Sequence, residues 1–341
     1  MFSDRVPSLR EVVFCGGLLI FLLMIFIVPF LCGGRNGNPD RDGESKVCLK
    51  ISIEEVLSIG SLEDGALFQW VGVVSDSRGF IYVTDAMDYA LKKFDPEGNL
   101  LERAGGKGQG PGEFSAPRLL DCSDGYLFVS EQYIPIIKVF DRDLHHRFDI
   151  PLRAPVGDMK VLADDLLAVV VLTARRMSAV LFCNRKGEVV KEVEFSGGPE
   201  GLLMDMVSLD LDSRGNLYLA YNFADRVEKY SRSGKKVWSR RLLGIKDVER
   251  KKVSSFVVPT EIVYKDLTLD ESGNIYVLGG ELSKNRSRDV YVLSQDGELL
   301  TTFTLPQASH CIYIDADNFL YTRANEGITL KKYRIILTRE K

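Results

Sequence analysis

The chain has 341 residues, 27% charged and 45% hydrophobic, with a formal net charge of −4. Charges of both signs are interspersed along it, so it lacks the basic stripe that follows a nucleic-acid backbone, and no nucleic-acid partner is expected. Six cysteines and three histidines are scattered without CxxC or His-x-x-His spacing, which argues against a sequence-encoded zinc site and reads instead as free, buried thiols.

Residues 1–11 form a short polar tail. Val12 to Leu31 follows as twenty residues without a charge, which at about 1.5 Å per residue matches a hydrocarbon core of about 30 Å. The run is longer than the apolar region of a cleaved signal peptide and ends in Phe30 and Leu31 rather than small residues, so an uncleaved transmembrane signal-anchor over 12–31 is the favoured reading. Cys32 directly after the run leaves a lipoprotein signal as an alternative, against which stands Leu31 where such signals carry a small residue; ordinary cleavage is the third. Arg5 and Arg10 are offset by Asp4 and Glu11, while Arg35, Arg41 and Lys46 follow the run. A short tail before a large domain then places that domain extracytoplasmic, in the periplasm or at the cell surface. Residues 32–46, rich in Gly, Asn, Asp and Pro without an apolar period, read as a flexible tether.

From residue 47 the chain repeats. The unit is clearest over Asp76 to Asn99, where a turn Asp-Ser-Arg-Gly precedes Phe80-Ile-Tyr-Val-Thr84, a polar loop, Ala90-Leu-Lys-Lys-Phe94 and a second turn, Asp-Pro-Glu-Gly. Aligning its variants puts Tyr82, Phe128, Ala168, Tyr218, Tyr276 and Tyr321 in equivalent positions, at the period of a propeller array. Within the unit, Asp supplies an Asx-turn side chain and Gly the positive φ that follows, and the strands alternate as sheets with one buried face do. The sixth copy lacks a fourth strand and Val47–Ile53 is a spare one, so pairing the two closes the ring and hides both edges.

The Gly-Asn-Ile/Leu-Tyr-Val and Ile-Lys-Lys-Phe-Asp-x-x-Gly patterns resemble those of NHL-repeat six-bladed β-propellers, over about residues 47–338. The resemblance implies an all-β fold of six four-stranded antiparallel blades over residues 47–341. The segment Gly105 to Phe114 is similar to a loop found after one blade in bacterial members of that group. It matches neither a Walker nor a dinucleotide fingerprint and reads as a blade-to-blade crossover. Function is not implied by the fold, since such propellers include scaffolds, sensors, lyases and lactonases.

Candidate ligand-binding residues are sought on the loops joining second and third strands, where catalytic propellers of this kind place their sites. These loops carry Asp85 and Tyr89, Glu131 and Tyr133, Arg175, Asn222, Arg288 and Arg323; with Arg118 they would make a polar ring suited to an anionic or carbohydrate-like ligand. A lactonase-type centre would need convergent acids and amides around a divalent cation, for which Asp85, Glu131 and Asn222 have the right types. A divalent cation such as Ca²⁺ in the central channel is compatible with the composition, but Asp210-x-Asp212, Asp315-x-Asp317 and Asp141-x-Asp143 lack the further ligands of an EF-type loop and read as solvated turn carboxylates. His310, at the start of an innermost strand, is the histidine nearest the axis. The leading expectation is a membrane-tethered binding module for a peptide, glycan or partner protein. The alternative is a metal-dependent hydrolase or lyase at the channel mouth.

Overall fold

The computed structural model describes residues 48–340, apart from 62, 64, 124, 163–165, 172–178, 196–205 and 254–255. The anchor, its lipidation site and the tether expected at the N-terminus lie outside the described residues, among which no helix is long and apolar enough to cross a membrane.

The opening strand, β1 (Cys48–Ile59), is followed by five complete blades. Blade 1 is β2 (Trp70–Ser75), β3 (Ile81–Asp85), β4 (Ala90–Phe94) and β5 (Leu100–Gly105); blade 2 is β6 (Pro117–Ser123), β7 (Tyr126–Glu131), β8 (Ile136–Asp141) and β9 (His146–Pro151). Blade 3 is β10 (Val156–Val161), β11 (Leu167–Val171), β12 (Ala179–Cys183) and β13 (Val189–Glu194); blade 4 is β14 (Val207–Leu211), β15 (Leu217–Tyr221), β16 (Val227–Tyr230) and β17 (Lys236–Arg240). A hairpin, β18 (Arg250–Val253) and β19 (Phe256–Pro259), separates blade 4 from blade 5, which is β20 (Tyr264–Leu269), β21 (Ile275–Gly279), β22 (Asp289–Leu293) and β23 (Leu299–Thr304). Blade 6 is β24 (Ile312–Ile314), β25 (Phe319–Ala324) and β26 (Thr329–Glu340), completed on its outer edge by β1, in antiparallel register from Cys48↔Glu340 to Ile59↔Leu330. The ring therefore closes as the spare N-terminal strand implies, and Trp70 fastens the seam by donating from Nε1 to Thr329 O at 3.0 Å.

The core sits between blades rather than at one centre. Val74, Tyr82 and Leu91 of blade 1, for example, pack against Phe114, Leu120, Leu127 and Phe140 on the side of blade 2, and such burial is the main favourable term for a sheet array. The repeated Asp and Tyr form one device. Each Tyr hydroxyl donates to the Asp six residues earlier: Tyr82 to Asp76 at 3.2 Å, Tyr218 to Asp212 at 3.1 Å, Tyr276 to Asp270 at 3.2 Å and Tyr321 to Asp315 at 2.8 Å. The other carboxylate oxygen accepts turn amides, as from Arg78 and Phe80 at Asp76. Gly105–Phe114 is the expected crossover: Gly105 takes φ +112, and a Cβ there would fall 2.5 Å from Tyr89 O and 2.8 Å from the buried Phe114 ring. Cys122, Cys183 and Cys311 are free thiols.

Candidate functional site

Strands β2, β6, β10, β14, β20 and β24 are the innermost of their blades and line the axis. One face carries the turns between first and second strands. There the channel opens into a cavity of about 370 Å³ lined by Ser75, Asp121, Lys160, Asp210, Tyr313 and Asp315, among others. Lys160 spans it, with Nζ 3.3 Å from Asp210 Oδ1, 3.9 Å from Asp121 Oδ1 and 5.8 Å from the centre of the Tyr313 ring. Burial works against its charge, but the carboxylates of Asp121 and Asp210 outweigh that and hold the lysine firmly protonated.

The axial carboxylates are inter-blade staples. Asp121 accepts from Val161 N at 2.6 Å, Asp158 from Leu209 N at 2.7 Å, Asp210 from Leu269 N at 3.0 Å and Asp266 from Ile312 N at 2.8 Å, so each crosses from one innermost strand to the next. Asp315 continues the circuit by accepting from Ser75 Oγ at 3.0 Å. Asp210 is thus a buried staple, not the solvated turn carboxylate its spacing to Asp212 suggests. Burial raises the pKa of Asp158 to about 6 and that of Asp266 to about 8, the latter raised further by the Asp158 charge.

The opposite face carries the blade-to-blade connections and the loops between second and third strands. At its mouth Lys265 Nζ lies 3.2 Å from Glu281 Oε1 and 3.3 Å from His310 Nδ1, with the lysine side chain only 6% exposed. Partial desolvation of the ring by the surrounding chain, then the charges of Lys265 and Arg323, lower the His310 pKa to about 4 against the weaker pull of Glu281 and Glu326, although the side chain remains open to solvent. The ring is therefore neutral at physiological pH. Arg323 donates from Nη2 to Glu326 O at 3.0 Å, and its guanidinium rests on Gly327, where a Cβ would fall 2.6 Å from Nε and Nη2. Asn325, Glu326 and Gly327 all have positive φ, at 48°, 56° and 95°.

The residues expected to form the polar ring divide sharply. Asp85 is fully buried and accepts from Phe68 N at 2.8 Å, Gln69 N at 2.9 Å and Lys92 Nζ at 2.9 Å. Glu131, 1% exposed, accepts from Ser115 N and, at 2.8 Å, from Ala116 N. Both carboxylates tie the end of a second strand to the segment leading into the first strand of the same blade, because buried amides there need acceptors. Asn222 donates to Tyr264 O at 2.9 Å and Arg288 to Leu305 O at 2.7 Å, each within the scaffold. Tyr89 has positive φ and is half-buried beneath Lys107, 5.3 Å from its ring centre. Arg175 lies outside the described residues. Arg118, Tyr133 and Arg323 remain near the mouth: Arg118 is half-buried with one bond, from Nη1 to Val156 O at 3.4 Å, and Tyr133 is 55% exposed.

The lactonase-type set does not assemble. Asp85, Glu131 and Asn222 sit in three different blades and are bonded as just described, and among the described residues no group of three His, Cys, Asp or Glu side chains is placed to hold a metal ion. The axial Asp staples, Lys160 and Lys265 escape a search restricted to loops. Their signal is an aspartate in every innermost strand or its end from blade 2 to blade 6, namely Asp121, Asp158, Asp210, Asp266 and Asp315. The loop face also exposes Phe68 (53%) and Met87 (64%).

No family profile and no curated protein matches the sequence. Solved structures do match in fold. A structural-genomics protein of unknown function from Bacteroides thetaiotaomicron has 14% identity and a TM-score of 0.57, covering 84% of this chain and 76% of its own. The WD40 repeats of RRP9 have 13% identity and a TM-score of 0.55, covering 83% and 97%. Virginiamycin B lyase from Staphylococcus aureus has 11% identity and a TM-score of 0.52, covering 84% and 100%. At these identities the likeness shows the fold alone: the chain is a six-bladed β-propeller of four-stranded antiparallel blades.

Proposed function

We propose that this is an NHL-type propeller acting as a binding module, whose loop face receives a peptide or partner protein. The observation that carries the reading is the exposure of Phe68, Met87 and Tyr133 on the loop face of two adjacent blades, with the half-buried Arg118 guanidinium at the start of β6. Large apolar and aromatic side chains cost free energy in water, and aromatic residues and arginine are the residue types that anchor protein interfaces. The Asp–Tyr turn device supports the NHL assignment. In this reading the apolar run at 12–31 holds the propeller at an extracytoplasmic membrane surface, and protease digestion of spheroplasts, with the outer envelope removed and the inner membrane sealed, that spares the propeller would refute that placement.

The face is tested by photo-crosslinking in the full-length chain. A crosslinker at Met87 or Tyr133 should yield a discrete adduct, and one at Leu100 or Val237, on outer strands, should not. Equal labelling from all four positions, or adducts with carbohydrate rather than protein, would overturn the assignment to a protein ligand.

A further inference from the structure

The cluster at the mouth between blades 5 and 6 is built from donors. An ammonium group has hydrogens and no lone pair, so in the 3.3 Å contact between Lys265 Nζ and His310 Nδ1 the ring nitrogen is the acceptor. Nδ1 of the neutral ring therefore carries no hydrogen, and Nε2 does. His310 presents an N–H on an exposed side chain.

Arg323 stands beside it. Its main-chain N–H donates to Ser309 Oγ at 2.9 Å, which fixes the strand end next to His310. Of the five N–H donors of its guanidinium, one is used, by Nη2 on Glu326 O, while Nε is buried without an acceptor. A buried donor left unmet in a folded protein calls for an explanation. The left-handed run Asn325–Gly327 gives the cradle in which this guanidinium lies, and strained backbone of that kind concentrates at ligand sites. The nearby acceptors do not satisfy the cluster: Glu281 is engaged by Lys265 and Ile262 N, and Glu326 is exposed.

We propose that His310, Arg323 and Lys265 form an oxyanion-binding subsite that takes a carboxylate or phosphate group of the ligand on the loop face. The proposal rests on the reading of that face as the ligand face and adds the chemistry recognised there. The Nε2–H of His310 and the guanidinium supply directed hydrogen bonds. Lys265, nearly buried, supplies charge and sets the tautomer rather than reaching the ligand itself. An oxyanion would also draw His310 toward protonation, since an opposite charge at hydrogen-bond distance favours the charged ring.

The test uses the three histidines as reporters. Imidazole NMR signals of the full-length chain are followed during separate titrations with acetate and inorganic phosphate. The His310 signal, identified by its loss in His310→Gln, should shift saturably with at least one anion, and its titration midpoint should rise by a unit or more. His145 and His146, on the opposite face, should respond only to ionic strength. The anion acting at the lower concentration identifies the group recognised. Arg323→Lys, which keeps the charge, and Arg323→Gln should weaken the response about tenfold or more with the Lys265–His310 contact intact. A His310 signal that moves no more than those of His145 and His146 with either anion overturns the subsite. Crosslinking from Met87 and Tyr133 reports separately on the face, so the subsite can fail while the binding reading survives.

Discussion

Lys92 Nζ and Asp85 Oδ2 meet at 2.9 Å with side-chain exposures of 2% and 0%, deep beneath the loop face of blade 1. The lysine also donates to Ala66 O at 2.9 Å and lies 2.9 Å from Asp88, while the aspartate accepts two main-chain amides. Every polar group in the pair is thus met, which is the condition under which a buried ion pair persists. Asp85→Ala should cost about 3–5 kcal/mol by urea unfolding, because it strands two main-chain amides and leaves the buried ammonium with Asp88 as its one carboxylate. A loss below about 1 kcal/mol would mean that Asp85 is dispensable to the scaffold.

Asp158 and Asp266 make stability depend on pH in the direction opposite to ordinary surface carboxylates. Their folded pKa values, about 6 and about 8, lie above the unfolded value, so the folded state holds protons that the unfolded state has released. Stability should therefore fall as pH rises toward about 8. His310, whose folded pKa is lowered to about 4, acts the other way but only below about pH 6.5. Asp76 and Asp212, held low by turn amides and neighbouring side chains despite partial burial, matter only in strong acid. Between about pH 6.5 and 8.5 Asp266 dominates, Asp121, also raised by burial, acts in the same direction, and the chain should lose about 1–2 kcal/mol or more, a few degrees in Tm. A Tm that rises across this window would contradict the buried, protonated Asp266.

Gly72 lies at a close approach of blades 1 and 2. A Cβ there would fall 2.7 Å from Leu120 N and 2.8 Å from Arg118 O, both main-chain atoms that cannot swing aside. Gly72→Ala should destabilise the fold by about 1–3 kcal/mol, as overpacking does. It should also disturb the bond from Thr84 Oγ1 to Arg118 O, read at 2.6 Å in the native protein. Unchanged thermal unfolding would show that the inner strands can separate at little cost.

Much of the fold was legible because it is written locally. Asp76 and Tyr82, or Asp212 and Tyr218, are six residues apart, and turn chemistry plus strand alternation suffice to recognise them. The closing strand was legible because an unpaired edge at one terminus matched a surplus strand at the other. The hairpin β18–β19 was not, although the long interval from Tyr218 to Tyr276 contains it. The site was harder to see because residue type does not encode side-chain direction. Asp85 turns inward to amides 16 and 17 residues earlier, and Asp158 reaches an amide 51 residues later. Such partners become neighbours only once the ring is closed. Arg323 and His310 were legible by position, but the left-handed turn that cradles the guanidinium depends on Asn325 and Glu326, which have no glycine signature.

Lys160 offers the sharpest probe of the axis. It is the cation that spans the cavity between Asp121 and Asp210, and those two acids staple blade 2 to blade 3 through Val161 and blade 4 to blade 5 through Leu269. Lys160→Met keeps the length and apolar contacts of the side chain but leaves both carboxylates without their counter-ion. Removing one partner of a buried pair exposes the full desolvation cost of the other, about 3–5 kcal/mol. That cost is electrostatic, so it should shrink as Asp121, whose carboxyl burial already holds above the usual range, takes up a proton. The variant should be much less stable than the native chain at about pH 8 and approach it near pH 5, reversing on the alkaline side what a simple packing defect would do, since a cavity costs the same at every pH. Urea midpoints at the two pH values decide the matter: an equal loss at both would assign Lys160 a packing role and remove the charge balance from the account of the channel.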